Sequence, residues 1–81
     1  MKIMWDEPKR ETNIAKHGMD FADLTLEFFR DANIASAKSG RFIAVGELGG
    51  QPVIAVVFRP LGSEALSVIS MRPASNKERK S

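Results

Sequence analysis

Lys9, Asn13 and Lys16 stand at positions i, i+4 and i+7, a spacing that aligns side chains along one stripe of a helix, and His17 follows at the end of that stripe. The lysines offer ammonium groups to an anion. Histidine is the side-chain type that ordinarily titrates near neutrality, which makes His17 a candidate general acid or base. The same pattern also fits a solvated helix face, with His17 beside Gly18 interacting with the helix dipole and doing no chemistry. A second group of charges lies at the C-terminus. Arg72, Lys77, Arg79 and Lys80 face one acid, Glu78, so residues 72–81 carry +3 while the whole chain carries only +2. Arg72 leaves a strand where a helix begins, and Lys77, Glu78 and Arg79 come from that helix. Such a junction can hold guanidinium groups and a carboxylate over a phosphodiester. Glu47, Arg41 and Arg59 project from neighbouring strands and are candidates to complete the site. Charge alone fits either a phosphate-contacting surface or a solvated terminal helix.

The elements that must position these groups are marked by caps and turns. Met1–Trp5 reads as a short strand that stops at Asp6. Asp6 is suited to cap a helix from Glu7 to Lys16, with Pro8 early enough to be tolerated and Gly18 supplying the left-handed stop. Phe21, Leu24, Leu26, Phe28 and Phe29 follow Asp20 at near-helical spacing and predict a second helix over residues 21–29. Asn33–Ala37 is expected as an edge strand, and Lys38-Ser39-Gly40 as a turn. Arg41–Leu48 and Gln51–Arg59 read as strands joined by a two-residue loop, Gly49-Gly50. Within the second of these, Val53–Phe58 is apolar on both faces and belongs at the centre of the sheet. Pro60–Ser63 turns the chain into a last strand, Ala65–Met71. Pro73 ends that strand, and a short helix follows over Ala74–Lys80.

Eighty-one residues, 43% hydrophobic and 27% charged, make one folded domain, because a chain this short buries only about 60% of its unfolded surface. It contains no cysteine, which excludes disulfides and thiolate metal sites and suits a reducing compartment. No apolar run reaches the length of a membrane span or a signal peptide, so a cytoplasmic protein that does not engage membranes is expected. One histidine without cysteine is too little for a transition-metal site, and no metal or other cofactor is expected. The fold class is α+β in the order β-α-α-(β)-β-β-β-α: two N-terminal helices on a small antiparallel sheet, with a short C-terminal helix. The sheet's second face is then solvated, functional or covered by a partner.

Three stretches in order resemble the BrnT toxins: Trp5-Asp6 with Lys9, Asn13, Lys16-His17-Gly18 and Phe21; Phe42-Ile43-Ala44-Val45-Gly46; and Ile69 to Ser75 through Glu78-Arg79. The resemblance covers nearly the whole chain. It implies a RelE-like ribonuclease fold, RNA as substrate, and a BrnA-like antitoxin that binds the toxin, as a heterotetramer, and carries the contact to operator DNA. It transfers by position to Lys9, His17, Arg72, Glu78 and Arg79. Metal-free RNA cleavage needs a base for the 2′-hydroxyl, cations for the charge developing on phosphorus, and an acid for the departing oxygen. Arg72 and Arg79 are the expected electrostatic catalysts, both exposed. Glu78, Glu47 or His17 is the base, and Lys9, Lys16, Lys77 and Arg59 bind RNA. Ser67, where many relatives carry arginine, supports a second reading, a catalytically inactive toxin relic serving as an interaction module in a DNA-binding repressor complex.

Overall fold

The computed structural model describes residues 1–50 and 52–80 and contains five strands and three α-helices. In chain order these are β1 (Lys2–Trp5), α1 (Glu7–His17), α2 (Leu26–Asp31), β2 (Asn33–Ser36), β3 (Phe42–Gly46), β4 (Ile54–Leu61), β5 (Ala65–Pro73) and α3 (Asn76–Arg79). Single 3-10 turns at Phe21–Asp23 and Lys38–Gly40 precede α2 and β3. The sheet order is β1-β5-β4-β3-β2, with β4 central as its apolar run requires.

The sheet is mixed and not purely antiparallel: β1 pairs parallel with β5, and the other neighbours are antiparallel. The parallel pair is possible because α1 and everything after it lie between the two strands in sequence, long enough for the crossover that parallel neighbours need. The expected helix over residues 21–29 is two pieces. Asp20 accepts from the Ala22 N–H and caps the 3-10 turn, whereas Thr25 accepts from the Phe28 N–H and opens α2, so a second cap interrupts the apolar periodicity. Asp6 holds the N-cap position of α1 without a side-chain cap bond, while Gly18 ends the helix at φ 67 as expected. The β3–β4 pairing stops at Gly46 and Ile54, so the connection spans residues 47–53 and exceeds a two-residue loop. Gln51, expected to begin β4, lies outside the described residues. Pro60 belongs to β4, and the following turn is confined to residues 62–64.

Phe21, Leu24 and Phe28 descend from the 3-10 turn and α2 onto Ala44, Ile54, Val56, Phe58, Leu66, Val68 and Met71 of the sheet. Each large side chain removed from water here contributes about 1.5–3 kcal/mol. Phe29 meets Phe58 edge to face at 5.2 Å, and Trp5 meets Phe21 similarly at 6.4 Å. Gly46 lets the α2–β2 junction approach closely, since a Cβ there would lie 3.3 Å from the Ala32 Cβ.

One irregularity decides what the second face carries. Val57 pairs with Ser70 but Phe58 pairs with Val68, so Ile69 is an extra residue in β5. Such a bulge reverses the alternation beyond it. Leu66 and Val68 point into the core before it and Met71 after it, which turns Ser70 and Arg72 onto the opposite face.

Candidate active site

Across the second face Arg72 is in register with Ala55 and Val45, and Ser70 with Val57 and Ile43. Ala55 is fully buried although it lies on this face. The short helix α3 returns over it: Lys77 and Glu78 line a groove with Ile43 and Val45. The sequence Ser75-Asn76-Lys77-Glu78 forms a capping box, in which the Ser75 Oγ accepts from the Glu78 N–H at 3.2 Å and the Glu78 Oε1 accepts from the Ser75 N–H at 2.9 Å.

The same carboxylate receives the Arg72 fork. Nη1 donates to Oε1 at 2.7 Å and Nη2 donates to Oε2 at 2.9 Å, while Nη1 also approaches the Pro73 carbonyl at 3.3 Å. The guanidinium, with the Ser75 N–H second, holds the Glu78 carboxyl well below its usual range, at about 2. Glu78 is therefore a firmly ionised partner of Arg72. Arg72 is 33% exposed at its side chain, which corrects the expectation of a largely exposed group: its Nη1–Nη2 edge is occupied by Glu78. Arg79 is exposed, as expected, and among the described residues its side chain has no hydrogen-bonding partner.

A second part of the surface runs along α1. Lys9, Thr12, Lys16 and His17 form one wall of a groove whose other wall is Ile69 and Ser70. Asn13, though in register with the lysines, is only 5% exposed and structural. Its Nδ2 donates to the carbonyls of Met19 and Met71 at 3.0 and 2.9 Å, and its Oδ1 accepts from the Met71 N–H at 3.0 Å. Ser70, which the sequence did not single out, joins the two regions: it lines the α1 groove and shares the second face with Arg72, two residues away. Nothing short of the bulge would have revealed it.

The remaining candidates lie further off. Arg59 is on the second face in register with Ser67, four β4 residues from the Arg72 row, or about 13 Å along the strand. Its Nη2 reaches the Ser39 carbonyl at 3.3 Å. Glu47 follows the Gly46–Ile54–Pro73 row, at the same end of the sheet as the β5–α3 junction, but it lines a separate hollow with Phe28, Asp31 and Asn33. Arg41 is exposed and immediately precedes β3. Among the described residues no three His, Cys, Asp or Glu side chains gather where they could hold a metal ion, and no helix is long and apolar enough to cross a membrane.

Residues interleaved with the N-terminal motif serve the frame. Arg10 grips Asp20 with two bonds, Nε to Oδ1 at 2.8 Å and Nη2 to Oδ2 at 3.0 Å, and also reaches Glu7, which accepts from the Trp5 indole at 2.7 Å. This chain of contacts fixes both ends of α1, and hence the position of Lys9, Lys16 and His17.

No curated protein sequence shows significant similarity to the chain. Among solved structures, it resembles a 1.1 Å crystal structure of the Brucella abortus ribonuclease toxin BrnT at 64% identity and a TM-score of 0.88, over 94% of this chain and 99% of that one. Residues 5–78 match the model of the family described as the ribonuclease toxin, BrnT, of type II toxin–antitoxin systems. With the match spanning the α1 groove, the bulged strand and the Arg72–Glu78 junction alike, the chain belongs to the BrnT family of ribonuclease toxins.

Proposed function

We propose that the protein is a RelE-like endoribonuclease toxin that cleaves RNA in the cytoplasm without a metal ion and is neutralised by a BrnA-like antitoxin. The observation that carries this reading is the continuity of Arg72, Ser70 and the Lys9–Lys16–His17 groove along one bulged strand. Planar guanidinium and ammonium groups are thereby spread along a path for a polyanion. Arg72 and Arg79 stabilise the negative charge that develops on phosphorus as the 2′-oxygen attacks and the 5′-oxygen leaves. His17 removes the 2′-hydroxyl proton, and the departing 5′-oxygen takes its proton from water. Glu78 is better suited to holding Arg72 in place, leaving its remaining N–H groups for phosphate, than to proton transfer, because a carboxyl held near 2 is a weak base at neutral pH. Glu47 lies too far into its own hollow to be favoured as the base. Lys9 and Lys16 bind flanking phosphates, with Lys77 and Arg59 further along the strand of RNA. Metal-free catalysis is proposed from the residue types, one histidine and no cysteine. The antitoxin joins the toxin in a heterotetramer and supplies the operator-DNA contact.

The test is cleavage of a synthetic RNA in EDTA. Attack by the 2′-oxygen must leave a 2′,3′-cyclic phosphate and a 5′-hydroxyl, and a single 2′-deoxy substitution at the cleaved position must block the reaction. Activity that disappears in EDTA and returns with magnesium overturns the mechanism. A protein that never cleaves yet still binds its antitoxin is an inactive relic.

A further inference from the structure

We propose that Arg41 and Arg59 form a second phosphate-binding subsite for the RNA strand that lies on Arg72, so that the protein favours RNA reaching several nucleotides beyond the cleaved bond. This rests on the ribonuclease reading above. The five strands contain no aspartate or glutamate, and their basic residues are Lys2, Arg59 and Arg72. Their chain neighbours Ile3, Phe58 and Met71 point to the core, so alternation turns all three basic side chains onto the second face. Arg41, extended at φ −94 and ψ 162, continues the alternation of β3. Phe42 pairs with Phe58, their rings stacked at 5.9 Å on the core side. Arg41 and Arg59, one step further along the two strands, therefore come opposite each other on the second face.

Like charges directly opposite on neighbouring strands oppose folding. Neither guanidinium has an ion-pair partner among the described residues. Glu64, at the same end of the sheet, lies in the turn beyond the Leu61–Ala65 pair, and Glu27 and Asp31 belong to α2, which packs on the other face through Phe28. The Arg59 fork is nonetheless held in place. Its Nη2 donates to the Ser39 carbonyl at 3.3 Å, and Ser39 adopts a left-handed φ of 61 that residues other than glycine rarely take. An arginine couple whose repulsion no acid relieves is suited to an anion, and its planar forks match the free oxygens of a phosphodiester. Position selects RNA as the source of that phosphate. The pair shares the face of Arg72 at about 13 Å along the strand. Successive phosphates of one nucleic-acid strand lie about 3.4 Å apart along a stacked helix and roughly twice that when extended, so two to four of them span the gap. Between the two sites the face offers Val57, Ser67 and Ser70, with no negative charge to repel a backbone.

The experiment compares two substrates: an RNA of about eight nucleotides with a single central 2′-hydroxyl and the others methylated, and a dinucleoside monophosphate carrying the same step. The parental protein should show a kcat/KM at least about tenfold higher on the longer RNA, chiefly through KM, and Arg41→Gln and Arg59→Gln should each remove most of that preference. Binding of the fully methylated long RNA, followed by fluorescence anisotropy over a range of salt, should lose about 0.7 from its logarithmic salt slope in either variant and about 1.4 in the double variant. Arg41→Lys keeps the charge and should keep the slope. An arginine with a merely structural role would lower the melting point when replaced. Arg41→Gln breaks no side-chain hydrogen bond and ends a repulsion, so its melting point should be unchanged or raised. If Arg59→Gln loosens the turn at Ser39, the glutamine and lysine variants of Arg41 still decide. A parental salt slope and length preference in Arg41→Gln overturn the proposal, while cleavage itself upholds the ribonuclease reading. Variants that bind RNA as the parent does but bind the antitoxin about tenfold more weakly identify a protein as the occupant and also overturn it. Arginine-dependent binding of the long RNA by a parental protein that cleaves neither substrate upholds the subsite and overturns the ribonuclease reading. Neither binding nor cleavage overturns both.

Discussion

The carboxamide of Asn13 pairs with the backbone of Met71 as a neighbouring strand would, donating to its carbonyl and accepting from its N–H. The parallel partner β1 reaches only as far as Val68, so beyond the bulge the outer edge of β5 has no strand beside it. A buried side chain on α1 takes over that role.

Asn13→Ala should therefore leave a buried donor and acceptor of Met71 unpaired, at a cost of about 2–4 kcal/mol. For a domain of this size the melting temperature should fall by roughly 10–20 °C. Asn13→Asp should be no better, because the carboxylate cannot donate to the two carbonyls and would be buried charged. Thermal denaturation of both variants checks this. A melting point within about 2 °C of the parent would show that the contact contributes little.

The same region shows what the sequence did and did not make legible. Gly18, the apolar run of β4, the edge strand β2 and the existence of a helix after Pro73 were readable because each rests on a local signal: a left-handed stop, a period, a proline. The Ser75–Glu78 capping box was readable in principle from its spacing. The break between the 3-10 turn and α2 was hidden because Thr25 caps in the middle of a continuous apolar pattern. The face that carries Arg72 was hidden for a deeper reason. Simple alternation places Leu66, Val68, Ser70 and Arg72 together, and only the pairing of β5 with β4 reveals the extra residue Ile69. Lys9, Asn13 and Lys16 form one stripe in sequence, but tertiary contact with Met71 separates the structural residue from the two exposed lysines.

Glu78 should make the docking of α3 sensitive to acid. Its folded value, about 2, lies below the ordinary 4.5, so the stabilisation is fully present above about pH 4.5 and is lost as the pH falls towards 2. The pair is partly solvated and ends the sheet, so its loss should appear as local release of α3. Asp20, lowered by its bonds to Arg10, adds acid sensitivity elsewhere and must be kept apart from it. Amide resonances of Asn76–Arg79 should move through this pH window in the parent. They should not in Glu78→Gln, which keeps the capping-box acceptor but loses the charge. Identical titration in the two proteins would remove the account.

His17 is half-buried at the end of α1, and Gly18 supplies the helix stop without it. His17→Ala should thus change stability by no more than about 1 kcal/mol, the scale of a helix-dipole interaction. If the imidazole moves the 2′-hydroxyl proton, cleavage should slow by about 10²–10⁴-fold and added imidazole should restore part of the rate. Single-turnover assays with and without imidazole measure both effects. Full parental activity in the alanine variant would reduce His17 to a cap.

Arg72 and Arg79 should separate in stability while agreeing in activity. Arg79 is exposed without a polar partner among the described residues, so Arg79→Ala should shift stability by no more than about 0.5 kcal/mol. Arg72→Ala removes a two-pronged, partly buried bond to Glu78 and should cost about 1 kcal/mol, within the range of a partly exposed pair. Either loss should slow RNA cleavage by about two to three orders of magnitude, the effect of removing one preorganised donor. Lysine at position 72 is the more discriminating change. It keeps the charge but cannot span both oxygens of Glu78 while offering further N–H groups to a phosphate, so cleavage should recover only in part. Rates on synthetic RNA, compared with melting curves of the same preparations, separate catalysis from folding. A double alanine variant that folds, binds its antitoxin and cleaves at the parental rate would exclude both arginines from the reaction.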